Sequence, residues 1–456
     1  MRYPVRDVVV VVPGMLGSRL ERAGRPIWGG AGVAAALLDP EGTLGLRGDG
    51  FTPEPDVVAT GLIGRLAQFP GLSKVDAYDR LIDGLSARFE LDEANFVAFP
   101  YDWRLSCGTN ATLLAWRIRP VLGTRRRAHP GAGFVFICHS MGGLIVQHFT
   151  DVLGGAADTH EVVTLGTPFR GAVKALGVIS RGWPARLPGI RSRFRRLAQR
   201  LPSAYELLPR YRAIIDGSER RLLAPKDLVA GADGALFEQA SAFHDALDLP
   251  GVRPYGRTVV AGVLQPTAQF AQLEAGEVRI LKRWQRGDGT VLDERGDGTV
   301  PRQSFAPPEW RDDRHAVPFP HTHVGLPTTD AVLRTLRHVL TATPRAEQAD
   351  ERAKLAIDVG DLVEAGAIVE VRCEVAEGDR DVPLLVCAEP VDGPRLPMTQ
   401  SPRDRDGQLI ARFDGLPPGD YRVTVSPALP MPDVRPVWDL LTVVDPALEA
   451  AAPALD

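Results

Sequence analysis

This sequence predicts a mixed α/β fold with a mostly parallel central sheet, followed by a small all-β sandwich. Three observations carry that expectation. Val8 to Val12 is five valines without polar alternation, as in a central parallel strand buried on both faces. Apolar β-branched runs then alternate with helically spaced segments up to Leu340, which is how βαβ units read. Beyond residue 350 short alternating runs split by turn residues take over, the pattern of a sandwich of about 100 residues.

The elements follow in order. After the valine strand comes a sharp turn, Pro13 to Ser18, and then about 50 residues rich in Gly, Pro and Asp, expected as an irregular surface excursion. Ala77 to Phe89 has apolar residues at helical spacing, Phe96 to Phe99 reads as a strand, and Thr112 to Leu122 reads as a helix. Gly133 to Cys138 is a second buried strand, Gly142 to Leu153 a helix, Glu161 to Leu165 a strand and Arg257 to Val263 a late strand. Thr329 to Leu340 is the last helix, and the sandwich strands are AIVEVRCEV, PLLVCAEP, GQLIARF, GDYRVTV and WDLLTVV. The Leu416 to Val425 stretch gives the sandwich an immunoglobulin-like look.

With 456 residues, 44% of them hydrophobic, the chain exceeds one core, since single cores stop growing near roughly 250–300 residues. Two domains are expected, at 1–345 and 351–448. A formal net charge of −4 gives no reason to expect nucleic acid as a partner. The four cysteines form no CxxC pair and no metal-ligand spacing with histidine, so no metal, cofactor or disulfide framework is expected. Cys373 and Cys387 are expected as buried thiols. The N-terminus lacks the marks of a signal peptide, and no apolar run reaches the ~18 residues of a membrane span. The expectation is a soluble, cytoplasmic protein.

The chemistry centres on Ile137 to Gly143, ICHSMGG, where a buried strand meets a helix. A tight turn there presents Ser140 as a nucleophile, with small neighbours letting strand and helix approach. Cys138 takes the place of the first glycine in the G-x-S-x-G pattern, a small enough substitute, while Gly142 keeps the second. His139 is expected to face away and pack. The Met141 N–H, at the helix start, is one oxyanion donor. The loop after the first strand should supply the other, and Gly14 lets its backbone come close enough for the Met15 N–H to serve.

In this type of fold an acid and then a histidine follow the serine along the chain. Two GDGT copies supply Asp288 and Asp297, and a Gly-Asp-Gly turn suits an acid projecting from a loop tip. The later histidines are His315, His321, His323 and His338. His315 lies in a charged loop and His338 within the last helix. His321 and His323 lack a third ligand at metal spacing. The residues alone leave both choices open.

Blocks in a fixed order resemble the lecithin:cholesterol acyltransferase family: VVVVVPGMLGSRL with Trp28 soon after, FPYDWRLS at Phe99 to Ser106, ICHSMGG, VTLGTPFRG at Val163 to Gly171, PSAYELLP at Pro202 to Pro209, and GDGTVP at Gly296 to Pro301. They span roughly residues 8–340, and the sandwich lies outside them. The resemblance implies an α/β-hydrolase fold with a cap insertion at about 171–254. It implies a serine lipase or acyltransferase acting on phospholipid-like esters through an acyl-enzyme on Ser140. It favours Asp297 as the acid, with Asp288 the alternative in a hairpin turn. It favours His323, just ahead of a short apolar segment and the last helix, with His321 the alternative.

Within the cap, Arg181 to Arg200 holds seven arginines among apolar residues. Such a segment suits peripheral contact with an anionic membrane surface as well as a plain solvated helix face. Trp183 and Phe194 are its candidate lipid contacts. Asp102 and Arg104 are expected to form an ion pair beside a buried Trp103. Two other functions compete: an esterase or thioesterase for small soluble substrates, and a regulated effector module whose sandwich docks a protein partner.

Overall fold

The computed structural model describes residues 2–444 apart from 31, 65–77, 183–187, 249–252, 275–276, 308–315, 342–353, 378–381, 392–395, 406, 430–433 and 435. Trp183, His315 and the expected boundary near residue 350 lie outside the described residues. The central sheet has six strands: β1 (Val8–Val12), β2 (Phe96–Ala98), β3 (Phe134–His139), β4 (Thr159–Leu165), β5 (Gly256–Gly262) and β6 (Val317–Phe319). They lie in the order β6-β5-β4-β3-β1-β2, and every neighbouring pair is parallel. All five valines of β1 are buried, as an unalternating central strand requires. The order reverses between β1 and β3, so their carboxyl ends open the crevice in which α/β sheets bind ligands. The fold is the α/β type with a mostly parallel central sheet that the sequence led us to expect.

Helices cover the sheet: α1 (Cys107–Ala128), α2 (Gly142–Asp151) and α6 (Asp330–Thr341), with α3 (Val173–Arg181), α4 (Pro188–Ala198) and α5 (Gly234–Leu247) in the 171–254 stretch. α1 is twice the expected length. Pro120 and Gly123 are both exposed, and the helix continues through them. Its start is fixed by Ser106, whose hydroxyl accepts from the Thr109 N–H at 3.2 Å, and by Glu206, whose carboxyl accepts from the Cys107 N–H at 2.7 Å. The excursion expected to be irregular contains a three-stranded antiparallel sheet, Ser18–Arg22, Arg25–Trp28 and Val57–Leu62. Register shifts in both pairings break the two-residue period that would have betrayed these strands. β6 was not anticipated either, because three residues including Pro318 show no period, and its edge position tolerates the proline.

One expected lipid contact of the arginine segment is not exposed. Phe194 is only 3% exposed, so it belongs to the core and is not a lipid contact. Arg191 donates to the Arg181 carbonyl, Arg193 to the Leu38 carbonyl and Arg196 to Glu41. The ion pair Arg104–Asp102 forms at 2.7 Å, fully buried on the arginine side, and Trp103 is buried beside it.

The C-terminal part folds as two sheets. One holds β7 (Lys354–Val359), β8 (Ile368–Glu377), β10 (Gln408–Asp414) and Arg403–Arg405, all antiparallel. The other holds β12 (Val437–Val444), β11 (Gly419–Pro427), β9 (Leu384–Pro390), Met398–Gln400 and Leu362–Glu364. Val371, Val386, Val423 and Val425 share one core between them. Cys373 is buried on β8 and Cys387 half-buried on β9, in different sheets, and both are free thiols. Among the described residues, no helix is long and apolar enough to cross a membrane.

Glu206 yields a test. Burial pushes its carboxyl up to about 7, against the opposing hydrogen bonds from Cys107 and Ser106. A folded value above the unfolded one stabilises the fold fully below pH about 4.5, and that stability is lost as pH rises through about 7. Thermal melts of Glu206→Gln should therefore lack this decline. The wild type should lose up to about 3 kcal/mol more than the variant over that window; parallel stability–pH curves would refute the assignment.

Candidate active site

Ser140 stands at the corner between β3 and α2 with φ 51°, a left-handed conformation that costs of order 1–3 kcal/mol for a non-glycine residue. Its surroundings enforce the turn. The Ser140 N–H donates to the Leu165 carbonyl at 2.9 Å. The Ser140 carbonyl accepts from the Gly143 N–H at 3.0 Å and from the Thr167 hydroxyl at 3.0 Å. A Cβ at Gly142 would fall 2.5 Å from the Pro13 carbonyl oxygen, and one at Gly143 would fall 2.2 Å from Thr167 Oγ1. Those two glycines are what allow β1, β3 and α2 to converge. Cys138 is buried on β3, and burial drives its thiol well above the ordinary range, so it packs as a small apolar residue.

The turn aims the Ser140 hydroxyl at His323, whose Nε2 is 3.0 Å from Ser140 Oγ. On the other side of the ring, His323 Nδ1 is 2.6 Å from Asp297 Oδ2. Asp297 is fully buried, and its other oxygen accepts from the Thr299 and Val300 N–H groups at 2.9 and 2.7 Å. The loops bearing acid and histidine also join directly, through the His323 N–H and the Asp297 carbonyl at 2.7 Å. A carboxylate only accepts, so Nδ1 carries the ring proton and Nε2 offers its lone pair to the serine.

The alternative residues stand elsewhere. Asp288 tips an exposed hairpin between Trp284–Gln285 and Val291–Leu292. Its Oδ1 accepts from the Thr290 N–H at 2.9 Å, the same local turn that Asp297 makes. His321 is half-buried against Trp438, with ring centroids 5.8 Å apart, and its Nδ1 accepts from the Thr322 N–H at 2.9 Å. Burial lowers its pKa to about 4, so the ring is neutral. His338 lies on α6.

Met141 opens α2, where the first N–H groups of a helix have no internal acceptor. Among the described residues, neither its N–H nor that of Met15 has a protein acceptor. The Met15 loop comes close to the serine: a Cβ at Gly14 would fall 2.9 Å from the Ser140 Cβ.

Two contributors escaped the sequence reading. His139 packs, as expected, but it also links the two sides of the site. The Gly14 N–H donates to the Tyr78 hydroxyl at 2.8 Å, and that hydroxyl donates to His139 Nδ1 at 2.7 Å. His139 Nε2–H then donates to the His323 carbonyl at 3.2 Å, with the two rings 4.8 Å apart. Burial, and secondarily the neighbouring His323, hold His139 well below the ordinary histidine range, so it is a neutral bridge. Its position at a strand end beside the serine was the available signal. Nothing in the sequence singles out Tyr78, a single aromatic at a helix start.

The family model for lecithin:cholesterol acyltransferase matches residues 63–249. That stretch contains Ser140 and the YDWR, LGTPFRG and PSAYELLP blocks, and it stops short of Asp297 and His323. The match supports an ester hydrolase or acyltransferase. Two solved structures overlap more loosely. The lipase BlEst2 of Bacillus licheniformis in its mature form is 12% identical, with 75% of this chain and 94% of that one covered, at a TM-score of 0.36. The phospholipase PlaB of Legionella pneumophila, in complex with thio-NAD, is 9% identical, with 96% and 92% covered, at a TM-score of 0.28. Overlaps this loose add nothing to the sheet order already described. No curated protein matches the chain.

Gly166 tests the geometry without replacing any of the three side chains. It adopts φ 61°, and a Cβ there would fall 2.9 Å from both Asp297 Oδ2 and His323 Nδ1. Gly166→Ala should slow labelling of Ser140 by a fluorophosphonate about 100-fold, as expected for misplacing a reacting group by about 1 Å. Labelling at the wild-type rate would mean that the acid–histidine contact does not matter to serine reactivity.

Proposed function

Since this chain is lecithin:cholesterol acyltransferase-like over residues 63–249, we propose that it cleaves phospholipid-like esters through an acyl-enzyme on Ser140, with Asp297 and His323 completing the triad. The reading is carried by one observation, the Ser140–His323–Asp297 relay at 3.0 and 2.6 Å.

In the proposed reaction, His323 Nε2 takes the Ser140 proton as Oγ attacks the ester carbonyl. Asp297 keeps the ring in the required tautomer and stabilises its cation. The Met15 and Met141 N–H groups receive the negative charge that develops on the carbonyl oxygen, and losing one such donor typically costs ~10²–10³ in rate. His323 returns its proton to the departing alcohol. Water or an acceptor alcohol then attacks the acyl-enzyme, with His323 as base again, giving hydrolysis or transfer.

A second reading, an esterase for small soluble substrates, draws on the arginine segment. Its buried Phe194 and its internally bonded Arg191, Arg193 and Arg196 leave less of it to meet anionic headgroups. Activity on a short-chain phospholipid, measured across its critical micelle concentration, separates the two. The lipid-surface reading expects a rise on micelle formation, and a flat response favours the soluble esterase. Either way, a fluorophosphonate should label the wild type and leave Ser140→Ala unlabelled. Labelling that survives the substitution would remove Ser140 as nucleophile.

A further inference from the structure

The nucleophile and both oxyanion donors sit at the ends of β1 and β3, in the middle of the sheet. The acid and histidine sit on long loops beyond β5 and β6, near its edge. Several contacts of the C-terminal sandwich with the rest of the chain, among the described residues, fall on those loops. Gln265 is fully buried, and its backbone pairs with Gly296, neighbour of the acid, in both directions at 2.9 and 3.2 Å. Its side chain is spent on β7: Nε2 donates to the Leu355 carbonyl at 3.2 Å, and Oε1 accepts from the Ile357 N–H at 3.1 Å. Arg295, on the other side of Gly296, donates to both oxygens of Glu374 on β8 at 2.8 Å and to the Leu264 carbonyl at 2.9 Å. Leu264 and Arg295 are both non-glycine residues at positive φ, 69° and 55°, conformations that persist only where neighbours impose them.

The histidine loop is held in the same way. The Thr322 hydroxyl donates to the Trp438 carbonyl on β12 at 2.9 Å in a buried setting. His321 packs edge-on against the Trp438 ring, and Val324 forms a small apolar cluster with Trp438 and Leu440. His323 is thus flanked on both sides by residues anchored to β12.

We propose that the C-terminal sandwich is the positioning element of the acid–base half of the site: β12 through Thr322, and β7 and β8 through Gln265 and Arg295, set His323 and Asp297 relative to Ser140. This rests on the triad proposed above. Thr322, Trp438, Gln265 and Arg295 touch no reacting atom in it; they act through the two residues they hold. The sandwich, which lies outside the family blocks, is then a working part of the site and more than an appended module.

The test uses the full chain, with p-nitrophenyl butyrate hydrolysis and fluorophosphonate labelling as readouts. Thr322→Val should lower kcat about 10- to 100-fold with KM little changed, and Thr322→Ser should recover most of the loss. In a His323→Ala background the same Thr322→Val should change the labelling rate no further, because its effect passes through the missing ring. Wild-type kcat in folded Thr322→Val would overturn the proposal, as would an equal loss in both backgrounds. If Thr322→Val fails to fold by circular dichroism, Glu374→Gln, on a half-exposed partner, decides. A kcat several-fold lower at unchanged melting temperature supports the proposal, and an unchanged kcat overturns it. Failure of the triad itself would look different: Ser140→Ala would retain hydrolysis.

Discussion

The structure turns on the close approach of two backbone segments, the loop after β1 and the corner after β3. Ser140 is held left-handed there, and nothing larger than hydrogen fits at Gly14, Gly142 or Gly143 without displacing a neighbour. The strain in one residue is offset by the bonds that Leu165, Gly143 and Thr167 make to its backbone. A hydroxyl fixed in this way is held in place by its own backbone. It can therefore serve as the reference point to which the histidine and the acid are brought.

Those loops come from far along the chain, and the molecule ties them down from two directions. Inside the hydrolase part, the Tyr78–His139 bridge connects the Gly14 backbone to the His323 carbonyl through rings that are buried and, for His139, neutral. From outside, the sandwich grips Thr322, Gln265 and Arg295. Buried networks of this kind confer precision only when every member is satisfied. Here each bridging group has a donor matched to an acceptor.

Much of this was legible in the sequence, for identifiable reasons. The unbroken valines of β1 and the apolar run of β3 have no other use than a doubly covered sheet. The HSMGG corner joins small residues to a strand–helix boundary. Where the sequence fell short, the missing information was spatial. The resemblance favoured Asp297, but Asp288 and Asp297 make the same turn with the same side-chain bond, and their difference in burial and in contact with His323 lies in the fold. The resemblance favoured His323 over His321, two positions away, but that one ring turns to Ser140 and the other to Trp438 is a matter of where β12 packs. The three-stranded sheet within residues 18–62 was hidden by its own bulges, and Phe194 looked exposed because its basic neighbours suggested a wet face.

The position of β1 in the sheet bears on how the protein is made. A ribosome releases Val8–Val12 well before its two sheet neighbours, Phe96–Ala98 and Phe134–His139. For all the synthesis in between, a five-valine segment with open hydrogen-bonding edges has no native partner, and such segments seed intermolecular pairing. The strand at the heart of the finished sheet is thus an aggregation hazard of the nascent chain until Phe96–Ala98 and Phe134–His139 are made.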